Sequence, residues 1–277
     1  MRPTITIATS LAPAKDIKIQ RDAVESWQRL GFRVLSVNCP EEAAVLKRSF
    51  PGMEFVEVFR DARKQFRKPY VFFDDMMSCL GKQSSDLCGI VNSDIYFSDK
   101  ELYPFLIAEG TGSFIYGSRM DVEAPDEGKG KMIHDGFDYF FFDRRISATY
   151  PSSRFCIGIP CWDYWAILSP LFLGINVKKV ITPHAYHIRH KVSWDNRISH
   201  LVFRQELLRH IKPLSVNAAS VHYILAFMDR YSLKLHTGDA KYDRELFPYQ
   251  VPQIRKVITK EEIQGEVIDE LVFLRRK

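Results

Sequence analysis

No stretch of this chain reaches eighteen uninterrupted apolar residues, so the sequence holds no simple membrane-spanning helix. Cysteine is scarce and unpatterned. Cys39, Cys79, Cys88, Cys156 and Cys161 are odd in number, scattered and set among apolar residues, which argues against a disulfide framework and against a Cys-x-x-Cys zinc site. Long runs of lysine and arginine are missing too, so the net charge of +5 is spread along the chain and not gathered into a nucleic-acid arm. Internal repeats and low-complexity tracts are absent. The opening residues, MRPTITIATSLAPAKD, lack the long apolar segment of a secretory signal. The expectation is a cytoplasmic protein with no nucleic-acid partner. Its dispersed positive charge suits an anionic ligand such as a nucleotide, or peripheral contact at the inner face of a membrane.

What is present is a chain of 277 residues, 46% hydrophobic and 13% aromatic, enough for one large core. TITIATS (4–10) alternates β-branched residues and runs into a small polar loop at Thr9 and Ser10. Helical spacing over 17–32 is closed by Gly31, strand patterns follow at 33–38 and 53–59, and a helix opens on Pro40 between them. A third helix is expected over 68–83 and an apolar, doubly buried strand over 87–92. Four βα steps in ninety residues predict a largely parallel α/β sheet flanked by helices, with ligands outside the carboxyl ends of the strands. Further on, strands are expected at 112–123 and 137–142, a mobile Gly- and charge-rich loop at 124–136, and an apolar helix at 162–175. A short strand from 177 runs into a His-rich stretch, and two amphipathic helices follow near 198–211 and 217–230.

Four constellations carry chemistry. Asn92-Ser93-Asp94 puts a carboxylate at the end of a buried strand, where it either closes a turn or ligates a divalent cation bridging phosphate oxygens. HAYHIRH brings His184, His187 and His190 within seven residues; on an extended chain that spacing offers one metal ligand and two packed rings, whereas a helix would align all three. In CWDYW, Asp163 is either a helix-terminus acid or, beside Trp162 and Trp165, a base with a raised pKa near a sugar-stacking platform. Asp138, inside GFDYFFF, must be paired or open to a cleft, and Arg119 is either its partner or a phosphate clamp.

Taken in order, TS after the first strand, QRDAVESW, NSDI, GFDYFFF, IGIPCWDYW and ITPHAYHIRH resemble a bacterial and plant group of nucleotide-sugar glycosyltransferases with the GT-A fold, over residues 4 to 195. The resemblance implies a GT-A-like domain over 1–212, with a nucleotide-binding half (1–97) and an acceptor and metal half (98–212), and a helical C-terminal extension (213–277) in the same compact unit. It sets NSD where that group has Asp-X-Asp. Asp94 would then meet Mn²⁺ or Mg²⁺ on the donor diphosphate, with Asn92 and Ser93 near the ribose or sugar. Thr9, Ser10 and Lys68 would lie against the nucleotide, Asp163 would deprotonate an acceptor hydroxyl on a glycan or lipid-linked sugar, and His187, backed by His184 and His190, would complete the metal site. Asn92 departs from the pattern, since an amide brings no charge to the cation. Two other classes stand beside this one: a zinc-dependent hydrolase using His184, His187 and His190, and a non-catalytic sugar-binding module.

Overall fold

Residues 5–9 are buried on both faces, as their β-branched run requires, and form the central strand β1 (Ile5–Thr9). In the computed structural model the residues described are 4–13, 17–124, 130–159, 162–173, 175–189, 206, 209 and 255–258. Strands β2 (Arg33–Asn38), β3 (Glu54–Glu57) and β4 (Leu87–Val91) run parallel to β1 in the order β3-β2-β1-β4. The sheet continues through β7 (Gly130–Asp143), β6 (Ser113–Val122) and β8 (Asn176–Ile188), where β7 is antiparallel to both neighbours and β6 and β8 are parallel to each other. Two short antiparallel strands share the outer edge of β8: β9 (Arg255–Ile258) along Val177–Val180 and β5 (Ile95–Phe97) along Ala185–His187. Of the nine strands described, six point the same way.

Helices cover both faces. On one, α1 (Lys18–Arg29) and α5 (Leu102–Glu109) bury Val24, Trp27, Leu102, Phe105 and Leu106 against Ile5, Ile7, Val91 and Phe141. On the other, α4 (Phe73–Gly81) and α6 (Trp162–Phe172) bury Phe73, Met76, Leu80, Trp162 and Trp165 against Ala8, Ile90, Phe140 and Phe142. Alternate residues of each strand thus serve two separate cores. Gly31 ends α1 in the left-handed region, at φ +95°, and the Gly31 and Phe32 amides donate to the Gln28 and Trp27 carbonyls, as its place after the apolar stripe predicts. α2 (Pro40–Ser49) begins on its proline, with Glu41 and Glu42 in the first turn. No helix among the described residues is long and apolar enough to cross a membrane.

Three sequence expectations are corrected. The helix expected over 68–83 starts at Phe73; Pro69 disfavours helical backbone at Lys68, and Phe72 instead bridges to Cys156, with a one-turn helix, α3 (Arg63–Phe66), lying upstream. The loop expected over 124–136 is strand from Gly130, where Gly130, Lys131, Met132 and Ile133 pair with Val122, Asp121, Met120 and Arg119. The short strand expected from 177 continues through His184 and His187. Of the C-terminal extension, β9 adds a strand to the sheet; the amphipathic helix expected near 217–230 lies outside the described residues, and of that near 198–211 only Glu206 and Arg209 are described.

The long strands β6, β7 and β8 all change register at one level. Along β6 the shift falls at Gly117-Ser118-Arg119, while the partner on β8 jumps from Val180 to Ala185 and on β7 from Phe137 to Ile133. Such bulges bend strands and re-aim side chains. Gly117 is required here, since a Cβ would run into the Tyr139 hydroxyl and come within 2.9 Å of the Val180 carbonyl. Past the bend, Arg119–Val122 lies between the start of β7 and the end of β8, with β5 on the far edge. The site described next sits at this bend, beside the carboxyl end of β4.

Candidate functional site

Parallel pairing sends the ends of β1, β2 and β4 to the same edge of the sheet. Thr9 follows the Ala8–Ile90 pair, so Ser10 and Asn92 leave adjacent strands at the same level. The segment after β1 is fixed by side chains that sequence reasoning passed over. The Leu11 amide donates to Ser36 Oγ (3.1 Å), the Asn38 amide donates to the Leu11 carbonyl (2.7 Å), and Gln20 makes a reciprocal pair with the Ala12 backbone, both bonds 2.8 Å. Asn38 also accepts from Ser36 Oγ at 2.6 Å, so the two polar residues near the end of β2 act as one bracket. Ser10 is half-buried at the start of this braced loop; Thr9 is 1% exposed, its hydroxyl without a hydrogen-bond partner among the described residues.

At the end of β4 a continuous polar chain begins. Asn92 donates its side-chain amide to Asp138 Oδ1 (2.7 Å), and its backbone amide bonds the Asp138 carbonyl (2.9 Å). Arg119 donates Nη1 to Asp138 Oδ2 (2.6 Å) and Nε to Asp121 Oδ1 (3.0 Å). The same Asp121 oxygen lies 3.1 Å from His187 Nδ1, and His187 Nε2 lies 3.5 Å from Asp94 Oδ2. Apart from the Arg119–Asp121 pair, which lies within β6, each contact crosses between elements: the end of β4 to β7, β7 to β6, β6 to β8, and β8 back to the turn after β4. The bend in the sheet brings them together.

Burial sets the electrostatics. Asp138 is 7% exposed, and burial raises its pKa; the Arg119 charge opposes that rise, the nearby Asp94 charge adds to it, and the Arg119 and Asn92 hydrogen bonds pull back. Burial works against the Arg119 charge, but Asp138 and Asp121 together outweigh it and hold the guanidinium charged beyond its ordinary range. Arg119 engages both carboxylates and is the partner of Asp138. Asp138 is likewise held between Asn92 and Arg119. Asn92 is also explained: a buried carboxylate needs a donor beside it, and an aspartate there would offer only a second charge.

Asp94 is half-buried in the turn Ser93-Asp94, its carboxylate directed at His187. His184, three residues earlier on the extended strand, pairs instead with Asp99 Oδ2 at 2.6 Å. His184 and His187 thus face different acids, and His190, the third histidine of the zinc-hydrolase reading, lies outside the described residues. Among the described residues no group of three or more His, Cys, Asp and Glu side chains is spaced to hold a metal alone. Asp94 and His187 nevertheless lie close enough to serve as two ligands of one divalent cation, with phosphate oxygens and water left to complete its shell.

Asp163 stands half-buried in the first turn of α6, where a negative charge is favoured by the helix dipole. Trp162 does not form an open platform: it is 4% exposed, with its ring 5.2 Å from Phe140 and 5.9 Å from Phe73. Trp165 is equally buried, stacked on Phe155 at 5.2 Å. Both indoles anchor α6, and so the position of Asp163, to the sheet. Lys68 is exposed, its ammonium 5.8 Å from the Tyr70 ring. The four cysteines described are buried free thiols, with Cys88 pushed by burial up to about 12.

No protein-family model matches the sequence, and no curated protein matches it. Several solved structures are similar in shape. HddC from Yersinia pseudotuberculosis, complexed with GMP-PN, aligns at 12% identity and TM-score 0.44 over 73% of this chain and 99% of that one. A mycobacterial protein aligns at 13% identity and TM-score 0.48 over 75% and 74%, and mannose-1-phosphate geranyltransferase from Thermus thermophilus at 12% and 0.35 over 53% and 59%. At these values the likeness carries no argument about residues or reaction, and the chemistry rests on the geometry of the chain itself.

Proposed function

We propose that the chain is a GT-A-type glycosyltransferase, moving a sugar from a nucleotide-sugar donor to a hydroxyl of a glycan or lipid-linked acceptor. The observation that carries the reading is the convergence of Asp94 and His187, 3.5 Å apart, at the carboxyl end of the central strand β4. That edge is where ligands of open α/β sheets bind. It is also beside the braced loop 10–12, which would take the nucleotide.

A Mn²⁺ or Mg²⁺ ion held by Asp94 and His187 would supply positive charge against the departing diphosphate. The chain's own residues do the rest. Asn92, Asp138 and Arg119 hold the strand ends around Asp94 in place, so that the acid meets the donor without rearrangement. Asp163 accepts the proton of the acceptor hydroxyl as the new glycosidic bond forms, which makes inversion at the sugar carbon the expected outcome. Ser10 and Ser93 offer small polar contacts to ribose and sugar hydroxyls.

The test is donor hydrolysis in the absence of acceptor. Purified protein is offered UDP-, GDP-, CMP- and dTDP-sugars with Mn²⁺, and nucleotide release is followed. Release from one class of donor, suppressed by EDTA, is expected; no release from any of them contradicts the proposal.

A further inference from the structure

Asp121 has no place in the reaction as derived so far, yet it occupies the middle of the polar chain. It is directly opposite His187 in the β6–β8 ladder, and its Oδ1 is 3.1 Å from His187 Nδ1. The same oxygen accepts Arg119 Nε at 3.0 Å, so the carboxylate cannot swing away without breaking an ion pair that also ties down Asp138. His187 is 5% exposed, and its other nitrogen faces Asp94. A carboxylate on one imidazole nitrogen places the proton there and turns the lone pair of the other nitrogen outward, which orients a ligating histidine and makes it a better donor.

We infer that Asp121 is a positioning residue: it fixes His187 as the Nδ1–H tautomer and aims Nε2 into the cation site shared with Asp94. The inference rests on the metal reading given above and adds the residue that sets the site's affinity. Arg119 acts one step further out. It holds Asp121 and Asp138 at fixed separation, so the acid behind the histidine and the acid behind Asn92 move together. The bend at Gly117-Ser118-Arg119 is what places Arg119 between them.

Two readouts test this on the intact chain. In metal-free protein at pH 8, long-range ¹H–¹⁵N correlations give the His187 tautomer: wild type is expected as Nδ1–H, and Asp121→Ala as a mixture or as Nε2–H. Binding of Mn²⁺ alone, followed by electron paramagnetic resonance, is expected to weaken about 10- to 100-fold in Asp121→Ala, the range for lost outer-shell partners. In a His187→Ala background the same substitution should cause no further loss, because the effect runs through the histidine. Asp121→Asn, which keeps one acceptor oxygen for both donors, should retain the tautomer with an intermediate affinity, and it serves if the alanine variant does not fold. A wild type that binds Mn²⁺ with the Nε2–H tautomer, or an Asp121→Ala loss undiminished without His187, overturns the inference alone. A wild type with the expected tautomer that binds no Mn²⁺ overturns the metal reading and the inference with it.

Discussion

Replacing Asn92 by aspartate would restore the acid that the resemblance leads one to expect, and the structure predicts that the change is harmful. Asn92 Nδ2 is 2.7 Å from Asp138 Oδ1, and Asp138 is a nearly buried carboxylate whose pKa is already raised by burial and by the neighbouring Asp94. Asn92→Asp removes a hydrogen bond to a charged group, about 1.5–3 kcal/mol. It also sets a third acid against two. At about 2–4 °C per kcal/mol, the loss is a fall of roughly 3–12 °C in melting temperature. The pH dependence has a definite sign. Either acid of the new pair, once protonated, can donate the missing bond, so the folded state takes up a proton more readily than the unfolded chain; such a group contributes stability at low pH that is lost as pH rises above the unfolded carboxylate value, about 3.9. The deficit against wild type is therefore smallest near pH 5 and widest near pH 8. Differential scanning fluorimetry at both pH values checks it. An Asn92→Asp protein as stable as wild type, or one whose deficit shrinks with rising pH, would refute the account of Asn92 as the donor to Asp138.

Three further outcomes follow from the same geometry. Tyr139 is fully buried with its hydroxyl lacking a partner among the described residues, so Tyr139→Phe should leave stability unchanged or raise it by about 1–3 kcal/mol in urea unfolding; a clear loss would reveal a bond to that hydroxyl. Trp162→Ala should destabilise by about 3–5 kcal/mol, because the indole fills the core between Phe73 and Phe140, and a variant of native stability that had lost only sugar binding would restore the platform reading. Asp163→Asn should slow transfer by about 10²–10⁴-fold while donor binding, measured by calorimetry, stays within a factor of a few; full activity would remove Asp163 from the role of base.

The first half of the chain is legible in the sequence because its signals are local. Gly31, Pro40 and the apolar runs of β1 and β4 each specify their own backbone, and the structure follows them within a residue or two. The second half is harder to read. GKMIH (130–134) looks like the end of a loop by composition, yet it is strand because β6 supplies the hydrogen-bonding partner, and pairing across chain segments leaves no mark on the segment itself. α5 went unread for a related reason: its Pro104 suggests a break, whereas in a first turn proline forfeits no helical bond. The site divides the same way. Asp94, Asp138, Arg119 and His187 stand out as polar residues in apolar surroundings. Asp121 does not, since RMDVE reads as an ordinary alternating strand, and only the shifted register of β6 on β8 sets it opposite His187. Nor can spacing tell that His184 and His187 part company until the chain between them is known to be extended.

The central claim is that Asp94, facing His187, holds the cation under a donor diphosphate. Melting temperatures of wild type and Asp94→Ala, measured with UDP, GDP, CMP and dTDP and their sugar conjugates with and without Mn²⁺, test it most directly, because a ligand that binds only the folded chain raises its apparent stability. The account predicts a Mn²⁺-dependent rise for at least one nucleotide class in wild type and its loss in Asp94→Ala. No rise with any of them, or an equal rise in the Asp94→Ala protein, would contradict it.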